Sequence, residues 1–311
     1  MSLFMFFRVR IVLTVSLVLI LFLAVGCDSS KNNSILKVVS TTGMIHDCVL
    51  NIAKDKVELA VLMGPGVDPH LYKATENDVL TLARADIIFY NGLHLEAKLG
   101  DVLDKMSDSA TVVAVSDSIN KDRLRMPKEF EGFYDPHIWF DVRLWLFVVD
   151  MVEKTLIQVD KANKAFYEQN AMAYRRKLNT LDDDIVSHIR MVPDSQRVLV
   201  TAHDAFGYFG DAYGFEVYAL QGISTESEAA IYDVDHLASF IANRKIPAIF
   251  VESSISKRYV LSVQEAVKSK GWQVKIGGEL FSDALGDFNT PEGTYIGMMK
   301  HNVNTIVEQL K

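Results

Sequence analysis

Residues 161–192 read KANKAFYEQNAMAYRRKLNTLDDDIVSHIRMV and contain neither glycine nor proline, the two residues that most often interrupt a helix. Apolar side chains recur in this stretch at spacings of four, three, four and four residues, which places on one helical face Tyr174, Leu178, Leu181, Ile185 and Ile189. Pro193 follows directly, and a proline is typical of a helix end. The sequence therefore predicts one long helix over 161–192.

On each side of this helix, short runs rich in β-branched residues alternate with amphipathic, helix-like stretches. The strand-like runs before it are Ile35–Ser40, Val57–Met63, Ile87–Tyr90 and Val112–Val115, and those after it are Val198–Ala202, Val217–Leu220, Ile249–Val251 and Val274–Ile276. This alternation predicts parallel sheets with helices on their faces. We interpret the chain as a first lobe over 35–160, a linking helix over 161–192 and a second lobe over 193–311.

The N-terminus carries the pattern of an export signal. Arg8 and Arg10 precede an apolar run over 11–25, which is shorter than the roughly 20 residues of a membrane-spanning helix. The run ends in LAVGC at 23–27, and a small residue directly before a cysteine is typical of bacterial lipoprotein signals, although Ala24 stands where leucine is usual. We interpret 1–26 as a lipoprotein signal peptide, Cys27 as the lipidated residue and 27–34 as a tether. A plain signal peptide or a slightly short anchor helix is the alternative.

Charge and cysteine content exclude several classes of protein. The net charge is −8 at pH 7, and residues 1–26 hold two arginines and no acidic residue, so the mature chain is more acidic still. A nucleic acid is therefore not an expected partner. The two cysteines are Cys27 and Cys48, and neither has a partner at the spacing of a thiolate metal site.

The tripeptide Asp-Pro-His occurs twice in the first lobe, at 68–70 and at 135–137. Proline fixes its own φ and restricts the residue before it, and an Asp-Pro pair favours a turn. Each tripeptide therefore presents a histidine from a stiff turn, which suits a preorganised metal site. The candidate ligands from this lobe are His70 and His137.

The second lobe offers two matching candidates, each after a predicted strand. His203 directly follows the run over 198–202, and Asp283 follows the run over 274–276 and the turn Gly277-Gly278. Ligands of open α/β sheets bind beyond the carboxyl ends of the strands. Taken singly, such a histidine is more often a capped or surface residue, and Asp283 alone favours a helix N-cap. Only the set of four indicates a metal site.

Five stretches carry a resemblance to a known family. They occur in the family's order across nearly the whole mature chain: VDPHLY at 67–72, NGLHLE at 91–96, DPHIW at 135–139, VTAHDAF at 200–206 and GGELFSD at 277–283. The chain resembles the solute-binding lipoproteins of zinc and manganese ABC importers, the cluster A-I group that includes TroA and ZnuA, and it looks most like the TroA branch.

This resemblance implies that one divalent ion, Zn²⁺ or Mn²⁺, is held by His70, His137, His203 and Asp283. It also implies an α/β fold in which two (β/α) lobes, each with a parallel four-stranded sheet, are joined by one long linking helix with the metal between them. An ABC importer permease is the implied partner. The chain is expected to be a monomer, anchored by its lipid to a bacterial membrane, in the periplasm or on the cell surface.

The identity of the metal follows less directly. Three imidazoles and one carboxylate suit zinc, whereas manganese prefers more oxygen ligands and stands lowest in the divalent affinity series. However, the chain lacks the histidine-rich loop that many zinc importers carry before the second histidine, and dedicated manganese members usually have glutamate where His203 stands. We place zinc first and manganese second, with iron also compatible. Partners that orient the ligand rings are expected, with candidates Asp141, Asp204 and Glu252.

Two other functions compete with metal delivery. A zinc-dependent hydrolase usually keeps three protein ligands and an open water position, and the sequence lacks His-Glu-x-x-His and Gly-x-Ser-x-Gly. A surface adhesin with a structural metal is the second alternative, although no stretch encodes a receptor site. We therefore expect a carrier and not an enzyme. The long helix should also limit the closure of the lobes on metal binding.

Overall fold

Four parallel strands form the sheet of the first lobe. In this computed structural model, which describes residues 35–130, 132–227 and 230–311, they are β1 (Leu36–Ser40), β2 (Val57–Val61), β3 (Ile87–Tyr90) and β4 (Thr111–Ala114). They pair in the order β2–β1–β3–β4, which confirms the predicted four-stranded sheet. The connecting helices are α1 (Gly43–Ala53), α2 (Glu76–Leu82) and α3 (Gly100–Met106).

Two long helices follow the first sheet, α4 (Val142–Val159) and α5 (Lys164–Ile189). Helix α5 has 26 residues and confirms the predicted long helix, with 3₁₀ turns or loop at the outermost predicted positions. All five residues of the predicted apolar face are buried. The division of the chain into lobes at 160 and 193 stays a prediction.

Among its described residues the second lobe contains four strands, but they are hydrogen-bonded as two parallel pairs. The strands are β5 (Val198–His203), β6 (Glu216–Gln221), β7 (Ala248–Glu252) and β8 (Lys275–Leu280), paired as β5–β6 and β7–β8. Strands β5 and β7 lie next to each other. At the end of β5, the Glu252 carboxylate accepts the amides of Ala202 and His203, so a side chain occupies the place of a ladder partner. The prediction of one continuous four-stranded ladder is corrected accordingly.

The helices described in the second lobe are α6 (Gly207–Tyr213), α7 (Ile231–Arg244), α8 (Arg258–Ser269) and α9 (Tyr295–Leu310). Helix α5 packs against α1, α4 and α9. One hydrophobic core continues between the lobes, and in it Trp145 of α4 stacks on Tyr295 of α9 with ring centroids 5.0 Å apart. Because packed cores resist deformation, this continuity supports the expectation of small closure.

A buried carboxyl joins the first lobe, the linking helix and the last helix. Asp47 on α1 accepts hydrogen bonds from the Tyr174 hydroxyl of α5 and the Tyr295 amide of α9, each at 3.2 Å. Burial raises the pKa of Asp47 to about 6, although these hydrogen bonds oppose the shift. The folded chain therefore binds a proton here more tightly than the unfolded chain, and ionisation above about pH 4 destabilises the fold.

We expect Asp47→Asn to raise the free energy of unfolding at pH 7 by up to about 3 kcal/mol, because the amide keeps an acceptor oxygen and removes the charge. The gain should fall below about 1 kcal/mol at pH 4, where the wild-type carboxyl is already protonated in the folded state. Urea unfolding, followed by circular dichroism at both pH values, measures this gain in the free energy of unfolding. A gain that is independent of pH would contradict this account.

The predicted signal peptide, the lipidated Cys27 and the tether lie outside the described residues. In the part of the chain that the structure describes, no helix is both long and apolar enough to cross a bilayer.

Candidate metal centre

The four predicted ligands converge on one point. His70, His137, His203 and Asp283 are each at most 3 % exposed, and one donor atom from each lies within 4.8 Å of all the others. The Nε2 atoms of His70 and His137 are 3.3 Å apart. The Asp283 carboxylate lies 3.1 Å from His203 Nε2, 3.4 Å from His137 Nε2 and 3.8 Å from His70 Nε2. Side chains from both halves of the chain therefore share one buried site.

These spacings suit a small cation at the centre. With metal–ligand distances near 2.05 Å, the edges of a tetrahedron measure about 3.3 Å. The observed distances lie on both sides of that value, from 3.1 to 3.8 Å. His203 Nε2 and both Asp283 oxygens are buried, and the 3.1 Å contact between His203 Nε2 and Asp283 lacks the geometry of a hydrogen bond, so within the described residues none of the three atoms makes one. Buried polar atoms without partners are costly, and a bound cation would satisfy all three.

Local turns present the two histidines of the first lobe. His70 lies in the loop after β2, where the Asp68 carboxylate accepts its backbone amide at 2.9 Å. His137 precedes α4, and Asp135 accepts its backbone amide at 3.0 Å in the same way. The repeated Asp-Pro-His tripeptide thus encodes the same turn twice, and each turn directs an imidazole towards the site.

Buried carboxylates orient two of the imidazoles. Asp135 Oδ1 lies 2.7 Å from His137 Nδ1, and Glu252 Oε2 lies 2.5 Å from His203 Nδ1. These contacts hold the Nδ1–H towards the carboxylate and leave Nε2 facing the centre. Glu252 was a predicted partner and is confirmed, whereas Asp135 was missed although it stands in a quoted motif.

The other two predicted partners have different roles. Asp141 accepts the Arg143 amide at 2.7 Å as the N-cap of α4, so the prediction that it orients a ligand ring is wrong. A cap satisfies the exposed amides of the first helical turn, which is what an aspartate at this position most often does. Asp204 makes no hydrogen bond to the four side chains among the described residues; its pKa is raised by burial and by the charge of Asp135.

The motif at 91–96 stabilises the turn that presents His137. Gly92 adopts a φ of 82°, and the Glu96 carboxylate accepts the amides of Asn91 and Gly92 at 2.8 and 3.2 Å. The loop so formed directs the Asn91 side chain to the Pro136 carbonyl, to which it donates at 3.0 Å. It therefore fixes the residue before His137. His94 of the same motif packs its ring edge-on against Phe133, away from the site.

The electrostatics of the site favour a cation. Burial lowers the pKa of His70 to about 3, so this imidazole is neutral with its lone pair free at physiological pH. Burial also opposes charge on Asp283, but the neighbouring histidines, His203 first, hold its pKa well below its usual value. Burial lowers the pKa of His203 as well, yet the Asp283 and Glu252 charges outweigh that effect and raise it well above the usual value.

Comparison with known proteins decides the family. The model of the family described as "ZnuA: Zinc-uptake complex component A periplasmic" matches residues 38–309. The chain belongs to this ZnuA family. The relatives include the zinc-binding protein TroA of Treponema pallidum, which is 52% identical over 273 residues and covers 88% of each sequence. The manganese-binding lipoprotein MntA of Bacillus subtilis is 44% identical over 288 residues, or 92% of this chain and 94% of that protein.

Solved structures of ZnuA-family relatives share the fold. The structure of periplasmic zinc-binding TroA from Treponema pallidum matches with a TM-score of 0.87 over 88% of this chain and 99% of that chain. A manganese-bound periplasmic metal-binding protein from Candidatus Liberibacter asiaticus matches at 26% identity with a TM-score of 0.78, covering 89% and 100%. The resemblance and the α/β fold inferred from the sequence are confirmed.

Proposed function

We propose that this chain is the extracytoplasmic solute-binding protein of an ABC importer, and that it captures one divalent transition-metal ion, Zn²⁺ or Mn²⁺. The ligands in this proposal are His70, His137, His203 and Asp283. The observation that carries it is the buried cluster of three imidazoles and one carboxylate, in which each imidazole Nε2 lies 3.1 to 3.8 Å from an Asp283 oxygen. The ion is cargo, held until it is delivered to a permease.

Zinc is the cargo that the donor set favours. Neutral imidazole nitrogens and a single carboxylate suit tetrahedral Zn²⁺, whereas Mn²⁺ and Fe²⁺ stand lower in the affinity series and favour more oxygen donors. The relatives are divided, since TroA is described as zinc-binding and MntA as manganese-binding. Four protein ligands leave no open position for a water nucleophile, so a zinc-dependent hydrolase is not supported. No observation favours the adhesin alternative.

The location of the protein follows from its N-terminal sequence. We infer a lipid at Cys27 that anchors a monomer to a bacterial membrane, in the periplasm or at the cell surface. Relatives described as lipoproteins support this inference, among them MntA of Bacillus subtilis. A permease of the same importer is the partner to which the ion passes.

The test is metal analysis followed by competition. Protein purified without chelator should contain close to one equivalent of transition metal, and zinc should displace manganese in equilibrium titrations. Less than a tenth of an equivalent after incubation with either metal would contradict the proposal. A preference for manganese would keep the carrier function but reverse the assignment of the cargo.

Zinc affinity should increase with pH. The raised pKa of His203 means that the metal-free protein holds a proton there at neutral pH, and zinc must displace it. The apparent association constant should therefore rise with pH across the neutral range, by up to about tenfold per pH unit for one displaced proton. His70, with its pKa of about 3, adds no slope in this range. Calorimetry in buffers of different ionisation enthalpy should show about one proton released per zinc; no release would contradict this prediction.

Removal of an orienting carboxylate should weaken zinc binding without abolishing it. We expect Glu252→Gln and Asp135→Asn each to raise the dissociation constant about 10- to 100-fold, because the ring loses its anionic partner while all four ligands remain. Asp141→Asn is the matched control, since Asp141 caps α4 and contacts no ligand ring in the described structure. Chelator competition measures all three; equal effects in all three variants would point to a general loss of stability.

A further inference from the structure

The first Asp-Pro-His turn is attached to the second lobe by a single side chain. Asp68 uses its two oxygens in two directions: Oδ1 accepts the backbone amide of His70 at 2.9 Å, and Oδ2 accepts the hydroxyl of Thr225 at 2.6 Å. Thr225 is 157 residues away along the chain, in the loop after β6. This carboxylate therefore joins a proposed ligand of the first lobe to the second lobe.

The loop that carries Thr225 is itself fixed to the strand pair that carries His203. Gln221, the last residue of β6, is the register partner of His203 on β5. Its amide nitrogen donates to the Ser227 carbonyl at 3.1 Å, which closes the loop around Thr225. Thr225 is 8% exposed, so water competes little for its hydroxyl. The hydroxyl that Asp68 accepts is therefore held in a defined place.

The turn that presents His137 has a larger attachment. Tyr208 on α6 is 3% exposed, and its hydroxyl accepts the Arg125 amide at 3.0 Å and donates to the Asp135 carbonyl at 2.9 Å. The Arg125 guanidinium also donates to the Gly207 carbonyl at 3.1 Å. Three hydrogen bonds thus connect this turn and its flanking loop with α6. Within the described residues, the turn at 68–70 has only the one from Thr225.

The surroundings of the four proposed ligands differ in the same sense. Leu71, directly after His70, is 45% exposed, whereas the residues on either side of His137 and of Asp283 are buried. Those beside His203 are buried or half-buried. An outward movement of the His70 turn would therefore disturb the least packing, and segments with few buried contacts are the ones that open most readily.

We propose that Thr225 is a positioning residue for ion exchange: its hydrogen bond to Asp68 holds the His70 turn closed, and the ion enters and leaves when this bond breaks. The assignment rests on the proposed function and adds the step that controls its rate. All four proposed ligands are at most 3% exposed, so an ion reaches them only if part of the site moves. Because neither Thr225 nor Asp68 is a proposed ligand, their bond forms with or without the ion.

A second contact between the lobes lies beside this hydrogen bond but is weaker. Lys98 pairs with Glu226 at 3.1 Å, and the two side chains are 29% and 49% exposed. Exposed ion pairs contribute little to stability and are screened by salt. A hydrogen bond from a buried hydroxyl to a carboxylate is stronger, because one partner is charged and water is largely excluded. We therefore assign control of the rate to Thr225.

The test uses full-length protein loaded with zinc and compares wild type with Thr225→Val, which keeps the shape of the side chain and removes its hydroxyl. An excess of colorimetric chelator measures zinc release. Stopped-flow fluorescence of Trp139, whose ring lies 5.3 Å from that of His137, measures association with metal-free protein. We expect both rates to rise about tenfold and the dissociation constant to change less than about threefold, since the bond is lost from both states.

Conservative and control variants separate the hydroxyl from other effects. Thr225→Ser keeps the hydroxyl and should restore both rates to within about twofold of wild type. Thr225→Ala, which removes the hydroxyl in a smaller side chain, should repeat the effect of Thr225→Val. Thr81→Val removes a hydroxyl that donates to the Asn77 carbonyl at 2.8 Å within α2, and should change neither rate. Glu226→Gln should speed release less than about twofold.

Four results would contradict the proposal. Release from folded Thr225→Val or Thr225→Ala at the wild-type rate would overturn it, and so would failure of Thr225→Ser to restore the rates. A rise in the dissociation constant that accounts for all of the faster release would show that Thr225 supports the structure of the site and does not control exchange. Wild-type protein that takes up no zinc would overturn the proposed function as well.

Discussion

Replacement of Asp283 with asparagine is expected to raise the dissociation constant for Zn²⁺ by about a thousandfold or more. Asp283 is the single anionic ligand in the proposed set, and its oxygens lie within 3.8 Å of all three imidazole Nε2 atoms. The side chain is 2% exposed, so solvent does not screen its charge. Asparagine keeps the shape but loses the charge and half of the acceptor capacity.

The control for this substitution lies four residues further along the chain. Asp287 is exposed, and Asp287→Asn should leave zinc affinity unchanged within about twofold. Competition with a chelator of known affinity measures both variants, with circular dichroism to verify folding. A folded Asp283→Asn protein with wild-type affinity would refute the ligand assignment, because no other carboxylate joins the cluster among the described residues.

Local patterns were sufficient to predict much of the fold. Spacings of three and four residues from Tyr174 to Ile189 gave the buried face of α5, because helical periodicity depends only on neighbours along the chain. The four side chains of the cluster could be selected for a similar reason, since each stands in a local sequence motif, and the structure brings them together. His203 is the last residue of β5, and Asp283 follows β8. Both positions are where open α/β sheets bind ligands.

Interactions between distant segments were harder to predict. Glu252 is 49 residues from His203, and only the packing of β7 beside β5 brings them together. The same carboxylate accepts hydrogen bonds from the backbone amides at the end of β5, and the pattern of β-branched residues could not indicate these bonds. Asp141 shows the opposite error: it lies close to His137 in sequence, but the requirement of α4 for an N-cap determines its contact.

A change of His203 to glutamate is expected to reduce the free energy of unfolding of the metal-free protein by about 3–5 kcal/mol at pH 7. Glutamate is also a metal-binding side chain, so the substitution looks conservative for the site. In this chain, however, Glu252 Oε2 lies 2.5 Å from His203 Nδ1. The new carboxylate would face Glu252 on one side and Asp283 on the other, with no cation between them.

The second substitution Glu252→Gln should reverse most of that loss. A glutamine at 252 keeps an oxygen for the amides of Ala202 and His203, and its nitrogen can donate to the introduced carboxylate. The double variant should also prefer zinc to manganese less strongly than wild type does. We expect its ratio of manganese to zinc dissociation constants to be at least about tenfold lower, because an oxygen donor replaces a nitrogen. Urea unfolding and metal competition measure the two effects.

The decisive result is whether the effect of Glu252→Gln changes sign between the protein with His203 and the His203→Glu variant. With His203 in place the substitution removes a useful anion and lowers zinc affinity, whereas with glutamate at 203 it removes a repulsive one and restores stability. Low pH provides an independent check. Protonation of one carboxyl at pH 5 should reduce the difference in the free energy of unfolding between His203→Glu and the double variant. If Glu252→Gln harms both backgrounds equally, Glu252 supports the end of β5 through its amide contacts and does not act on the charge of the third ligand.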